Sequence, residues 1–170
     1  GGSPIVYRDL LIINADGGTD AFVIALDTAT GDRRWRTGRR FPFDQAYSTP
    51  LAISTPTGDQ IVSVGAHRTA AYEPGRGREI WHVNYRDGFS NVPRPVFGHG
   101  MVYIATGFNE PSIMAVRVDG RGNVTDSHVA WTVSRGAPFT PSPLLVDDLL
   151  YFISDIGIAS AVDARTGETR

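Results

Sequence analysis

The sequence predicts an all-β chain, a β-propeller of four-stranded antiparallel blades, and three observations carry that prediction. The stretch Ala25-Leu26-Asp27-Thr28-Ala29-Thr30-Gly31-Asp32-Arg33-Arg34-Trp35 returns three more times in weaker form. Its turn glycines Gly31, Gly77, Gly122 and Gly167 stand 46, 45 and 45 residues apart, a period that marks propeller blades, solenoids or arrays. A second series, Pro4, Pro50, Pro95 and Pro143, recurs at 46, 45 and 48, each proline just before a strand, where a missing N–H costs no ladder bond. Short strands with Gly and Pro punctuation also suit a sandwich or barrel, but a four-fold repeat of a four-strand unit argues for blades.

The elements follow in order. The first repeat divides into strands at 5–7, 10–14, 21–27 and 33–37, with Arg8-Asp9 as a tight turn and Phe22-Val23-Ile24-Ala25-Leu26 as a buried-looking run. The second has strands at 51–54, 60–64, 69–73 and 79–83, turning first at Thr57-Gly58-Asp59. The third has strands at 96–97, 101–106, 112–118 and 128–133, its last hairpin lengthened by Asn123-Val124-Thr125-Asp126-Ser127. The fourth has strands at 144–146, 149–154 and 158–163. Blades are therefore expected at 3–40, 48–86, 94–135 and 141–170, the last without its outer strand. No segment sustains a 3.6-residue apolar period, so almost no helix is expected.

The repeated stretch has a physical reading of its own. Apolar residues lead into an acid, a glycine supplies the positive-φ turn position, and a second strand follows with a large aromatic. Asp27, Glu73, Asp119 and Asp163 sit just before the turns, where a carboxylate accepts hydrogen bonds from turn N–H groups. Trp35, Trp81 and Trp131 each offer a large apolar surface to a neighbouring repeat and one N–H that needs a partner.

Those residues carry a resemblance. The A-x-D-x-x-T-G-x-x-x-W pattern is similar to the tryptophan-docking motif of pyrroloquinoline-quinone (PQQ) type β-propeller repeats. It is complete in the first repeat, good in the second, truncated in the fourth and poor in the third, where the acid-to-glycine spacing is three instead of four. The phrases Ala46-Tyr47-Ser48-Thr49-Pro50, 87–95 and Phe139-Thr140-Pro141-Ser142-Pro143 further resemble a bacterial group of secreted PQQ-like repeat proteins. The resemblance implies a ring of seven or eight blades, of which about four are present, and a periplasmic or secreted location. Two functional classes follow from it. One is a non-catalytic propeller that presents loops to protein partners, like the propeller lipoproteins of the outer-membrane β-barrel assembly machinery. The other is a quinoprotein alcohol dehydrogenase, with PQQ and calcium in the channel and an aspartate base. PQQ and calcium are implied by resemblance only, and a third class, another small-molecule or sugar-binding propeller, stays open.

Composition sets bounds. The 170 residues are 41% hydrophobic and 20% charged, ordinary for a globular protein, and the net charge of −2 does not invite nucleic acid. Zero cysteines remove disulfides, thiolate nucleophiles and cysteine-ligated metals, including the adjacent-cysteine disulfide that covers PQQ in many quinoproteins. No apolar run approaches the roughly 20 residues of a membrane span, and Gly1-Gly2-Ser3-Pro4 is not a signal peptide, so an export signal would lie upstream. Part of a ring leaves apolar faces at both ends, so the partners expected are other proteins, the remaining blades of the same ring, or a second copy.

Function in such a fold sits on loops, and the B–C loops and D–A links share one face around the channel. The richest link is 85–94. There Arg86 and Arg94 suit a carboxylate or phosphate clamp, Phe89 or Tyr85 can stack on a flat ligand, Asn91 adds an amide, and Asp87 is the best candidate base. His67 and Arg68 lie on the same face. Asp16 and Asp20 offer carboxylates to calcium without the ligand spacing of an EF-hand, and Asn109 could contribute similarly. The four histidines lack zinc spacing, and no nucleophile elbow, phosphate-binding loop or dinucleotide fingerprint occurs.

Overall fold

Residues 2–39, 44–86 and 88–170 are described by the computed structural model, and among them no helix forms. Strands β1 (Ile5–Tyr7), β2 (Leu10–Ala15), β3 (Phe22–Asp27) and β4 (Arg33–Gly38) make one antiparallel sheet in sequential order. The second sheet holds β5 (Leu51–Thr55), β6 (Gly58–Val64), β7 (Arg68–Tyr72) and β8 (Glu79–Asn84). The third holds β9 (Val96–Gly98), β10 (Met101–Thr106), β11 (Ser112–Arg117) and β13 (Val129–Val133), with β12 (Gly122–Asn123) between the last two in sequence. The fourth holds β14 (Leu144–Val146), β15 (Leu149–Ile153) and β16 (Ala159–Asp163), and beyond it Thr169 bridges Val162 where a further strand would begin. These are four blades of a partial propeller.

Strand periodicity explains how the blades stack. Side chains alternate between faces, so in β6 Ile61 packs toward the first blade with Leu10, Ile12, Val23 and Ala25, while Val62 and Val64 pack toward the third with Val102 and Ile104. In β10 those two valine-side neighbours alternate with Met101, Tyr103 and Ala105, which meet Leu150 and Phe152 of the fourth blade. Inner blades therefore bury both faces of their central strands. The outer blades do not: Val6 is 66% exposed, and in β15 Tyr151 (41%) and Ile153 (49%) are exposed while Leu150 and Phe152 between them are buried.

The repeated motif acts at each blade joint. The motif alanine lies directly across the strand pair from the tryptophan, as Ala25 opposite Trp35, Ala71 opposite Trp81 and Ala115 opposite Trp131, and the register shifts by a bulge just after each of them. The small side chain leaves room for the indole. Trp35 then donates from Nε1 to Pro74 O of the next blade at 2.7 Å, and Trp131 does the same to Ala164 O at 3.1 Å. Gly77 (φ 66°) and Gly167 (φ 76°) take the left-handed turn position beneath those rings, and a Cβ on Gly167 would stand 2.8 Å from Trp131 Cδ2. The carboxylates of Asp27 and Asp163 accept turn N–H groups of residues 29–30 and 165–166.

The third repeat corrects the sequence reading. The N–H groups of Asp27, Glu73 and Asp163 each close their turn onto the carbonyl five residues on, and the corresponding ladder bond in the third blade is Arg117 N–H to His128 O at 2.9 Å. The residue equivalent to the acids is thus Arg117, not Asp119, and Gly122 is not the turn glycine. No tryptophan packs on Gly122; it belongs to β12, which leaves its own blade and pairs in parallel with Trp81 and His82 of β8. The insertion anticipated at 123–127 is what makes this crossing: Val124 enters the core between blades two and three, its N–H donates to His82 O at 2.8 Å, and Thr125 Oγ1 accepts Asn84 N–H at 3.0 Å.

Candidate functional site

The B–C loops and D–A links gather on one face and are tied there by one buried amide. Asn91, 2% exposed, donates from Nδ2 to Gly65 O at 2.8 Å and Gly88 O at 3.0 Å, and its Oδ1 accepts Gly107 N–H at 2.9 Å. It joins the B–C loop of blade two, the link to blade three and the B–C loop of blade three. Tyr85 adds a second tie, its hydroxyl donating to Gly65 O at 2.6 Å, and burial pushes the phenol far above its ordinary range. With both polar atoms spent on backbone, Asn91 holds the loops in place.

The other predicted residues fall into different surroundings. His67 takes the left-handed region (φ 58°) between Gly65 and Arg68, its backbone bonded to Gly88 O and Tyr85 N and its Nε2 3.0 Å from Asp44 Oδ2. Phe89 lies 6.5 Å from the His67 ring and 5.8 Å from Phe108, which in turn lies 6.0 Å from Phe139. This row crosses the loops of blades two and three, and Phe108 at its centre is 55% exposed. Asn109 beside it is exposed.

Arg86 and Arg94 do not form the predicted clamp. Arg86 lines a cleft with Glu110, Ser112 and Thr132, whereas Arg94 lines another with Leu51, Phe97 and Leu144. The physical reason is the link itself, which runs from an outer strand of one blade to the inner strand of the next and so separates its two ends. Asp87 lies outside the described residues.

Asp16 and Asp20 each face an arginine. Both carboxylate oxygens of Asp16 accept from Arg39 Nη1 at 2.8 Å in a pair whose side chains are 4% and 7% exposed, Asn14 Nδ2 adds a longer bond at 3.3 Å, and Asp20 pairs with Arg36 at 2.6 Å. Arg68 Nη2 donates to both Glu79 oxygens at 2.5 and 2.6 Å, and Glu79 also meets His82 Nδ1 at 2.8 Å. Among the described residues no three His, Asp or Glu side chains come together to hold a metal.

Sequence reasoning missed the Asp16–Arg39 pair and the aromatic row. The pair lies 23 residues apart and neighbours in the row 19 and 31 residues apart, in loops with no periodicity to align them.

With the blades, joints and loops in place, the family described as outer membrane protein assembly factor BamB, of the PQQ repeat class, matches residues 1–170. The chain belongs to this family. No curated protein matches it. Among solved structures the BamB-like chain is similar to BamB from Moraxella catarrhalis, with 21% identity, a TM-score of 0.67, and coverage of 99% of this chain and 48% of that one. It is also similar to the quinohemoprotein alcohol dehydrogenase from Comamonas testosteroni, with 15% identity, a TM-score of 0.71, and coverage of 99% and 34%. A computationally designed protein, Ika8, aligns at 10% identity and a TM-score of 0.69 over 99% and 47%. The BamB-like chain thus spans about half or less of the length of these neighbours, and at such identities they establish its fold. No helix among the described residues is long and apolar enough to cross a membrane.

Proposed function

We propose that this chain belongs to a non-catalytic binding scaffold of the bacterial envelope, one that presents the loop face of its propeller to a protein partner. The observation that carries the reading is the aromatic row Phe89–Phe108–Phe139, with Phe108 more than half exposed, on loops held rigid by Asn91 and Tyr85. Exposed aromatics on a preorganised surface are the usual anchors of protein interfaces, and exposed Arg86, Arg94 and Asn109 provide a polar rim. The polar groups that a catalytic reading would recruit are engaged with one another, as Asp16 with Arg39, Glu79 with Arg68, and Asn91 with backbone. The family description, an outer membrane protein assembly factor, supports a periplasmic setting and partners in that assembly.

The test is site-specific photo-crosslinking in cells from the full-length protein, with the photoreactive residue at Phe108 and, as a control, at Arg121 on the opposite face. A discrete protein adduct from position 108, absent from 121 and lost in a Phe89→Ala, Phe139→Ala background, is expected. Equal or no crosslinking from both positions would remove the reading. A parallel titration of PQQ with calcium, followed by tryptophan quenching, decides the quinoprotein alternative: saturable quenching reversed by a chelator would replace the scaffold with a cofactor-binding propeller.

A further inference from the structure

We propose that the joint between the first and second blades binds a small oxyanion, the carboxylate or phosphate group of a small soluble molecule, held bidentately by Arg39 with support from Arg68. The argument begins with unspent donors. Arg39 follows β4 directly, its side chain is 7% exposed, and it gives both of its bonds to Asp16 from Nη1 alone. Nε and Nη2 are buried and make no hydrogen bond of good geometry, although the Tyr72 hydroxyl lies against the guanidinium. Those two nitrogens lie on one edge of the guanidinium and point their N–H groups in parallel, the fork that matches two oxygens of a carboxylate or phosphate. Arg68 is in the same condition: Nη2 holds Glu79, and Nε is buried without a partner.

Buried polar groups in folded proteins are almost always bonded. Five buried side-chain atoms among the described residues lack a hydrogen bond, and three of the five are these arginine nitrogens, whereas Glu73 Oε2 among the others still meets Arg78 Nη2 at 3.2 Å. Both arginines line one cavity of about 290 Å³, together with Tyr72 and His82. Its size is at the lower end of the ~300–1,000 Å³ typical of ligand pockets, which suits a small molecule and not a folded partner.

The surroundings keep the fork in place and charged. Gly65 carries no Cβ where one would stand 2.5 Å from Arg39 Nη1, so the guanidinium seats against bare backbone. Burial works against its charge, but Tyr72 and Asp16 outweigh that, and the Arg39 pKa lies above its ordinary value. Two guanidiniums and two carboxylates balance, so the joint has no broad positive field; recognition rests on the geometry of the fork, and a ligand must bring two coplanar oxygens to use it.

The experiment uses full-length protein labelled with ¹⁵N-arginine and three probes, sodium glucuronate, succinate and inorganic phosphate, with the Arg39 and Arg68 Nε–H resonances followed by NMR and affinity measured by calorimetry. Saturable movement of the Arg39 Nε–H with at least one probe is expected. A carboxylate that saturates where phosphate does not identifies the class, and the reverse identifies phosphate. Arg39→Lys, which keeps the charge and loses the fork, should weaken binding at least 10-fold, and Arg121→Lys on the opposite face should leave it unchanged. An Arg39 Nε–H that none of the probes moves, or undiminished affinity in Arg39→Lys, overturns the proposal and leaves the donors to water. Should Arg39→Lys fail to fold, the wild-type titration decides alone.

Discussion

Replacing Gln60 by Leu tests how the second blade is joined to the third. Trp35 and Trp131 donate directly to Pro74 O and Ala164 O, each the residue after the one that closes the neighbouring turn, Glu73 or Asp163. The same position in the third blade is Val118, but Trp81 does not reach it. Instead Trp81 Nε1 donates to Gln60 Oε1 at 2.8 Å, and Gln60 Nε2 donates to Val118 O at 3.1 Å. Gln60 is 3% exposed and Trp81 fully buried, so no water stands ready to replace the amide. Leucine fills a similar volume and offers neither bond, leaving one buried N–H and one buried carbonyl unpaired. At about 1–2 kcal/mol for each unsatisfied group, the lower part of the usual range, the joint should lose about 2–4 kcal/mol. Every 1.4 kcal/mol is tenfold in an equilibrium, so hydrogen exchange at the Trp81 indole should accelerate about 30- to 1,000-fold. The chain has three tryptophans, and the indole signals of Trp35 and Trp131 serve as internal standards that should hold their rates. Unchanged exchange at Trp81 would refute the relay, and equal acceleration at all three would show a global loss of stability in place of a local one.

Further consequences separate backbone from packing, place the acid limb and address the open faces. Gly31 and Gly77 share a left-handed φ, but a Cβ on Gly31 meets nothing within 4 Å and one on Gly77 runs into Trp35. Gly31→Ala should therefore cost about 1 kcal/mol of strain and Gly77→Ala about 2–4 kcal/mol, measured by urea denaturation; equal costs would mean that the ring does not need the gap. Turn N–H groups and then Arg34 hold the Asp27 carboxyl below its ordinary 3.8, and Arg170 with the turn N–H groups does the same for Asp163. Because the folded values are depressed, their contribution is present above the unfolded value near 3.8 and is lost as pH falls through the folded one. Asp27→Asn with Asp163→Asn should flatten the dependence of stability on pH in that acid range, and an unaltered slope would assign it to other groups. Finally, the exposed β15 face should drive association of this chain in isolation. Sedimentation at increasing concentration should show species larger than a monomer, shifted toward monomer by Tyr151→Lys with Ile153→Lys.

The architecture was legible in the sequence because its determinants are local and repeated. A strand pair, its turn and its tryptophan lie within eleven residues, so Ala25 to Trp35 carried the whole unit. The third repeat misled for the same reason. Gly122 falls at the right interval but serves β12, and only the bond from Arg117 N–H to His128 O reveals the true register. Counted from the residues that close the turns, 27, 73, 117 and 163, the period is 46, 44 and 46, and the glycine spacing agreed with it by coincidence in that blade.

The loop face was legible only as a list of capable residues, since chemistry there depends on which side chains meet across blades. Arg86 and Arg94 are near in sequence and serve different clefts; Asp16 and Arg39 are 23 residues apart and form the most buried ion pair of the described residues. A loop argument from composition weighs neighbours along the chain, whereas a propeller brings the ends of successive blades together. The same geometry separates the two proposals made from this face. The aromatic row stands on the exposed loops and offers area to a macromolecule, while the Arg39 fork lies inside a blade joint and offers two directed N–H groups to something small. A partner docked on Phe108 and an anion held at Arg39 would use different surfaces of the same rigid loops, so loss of one activity by substitution need not remove the other.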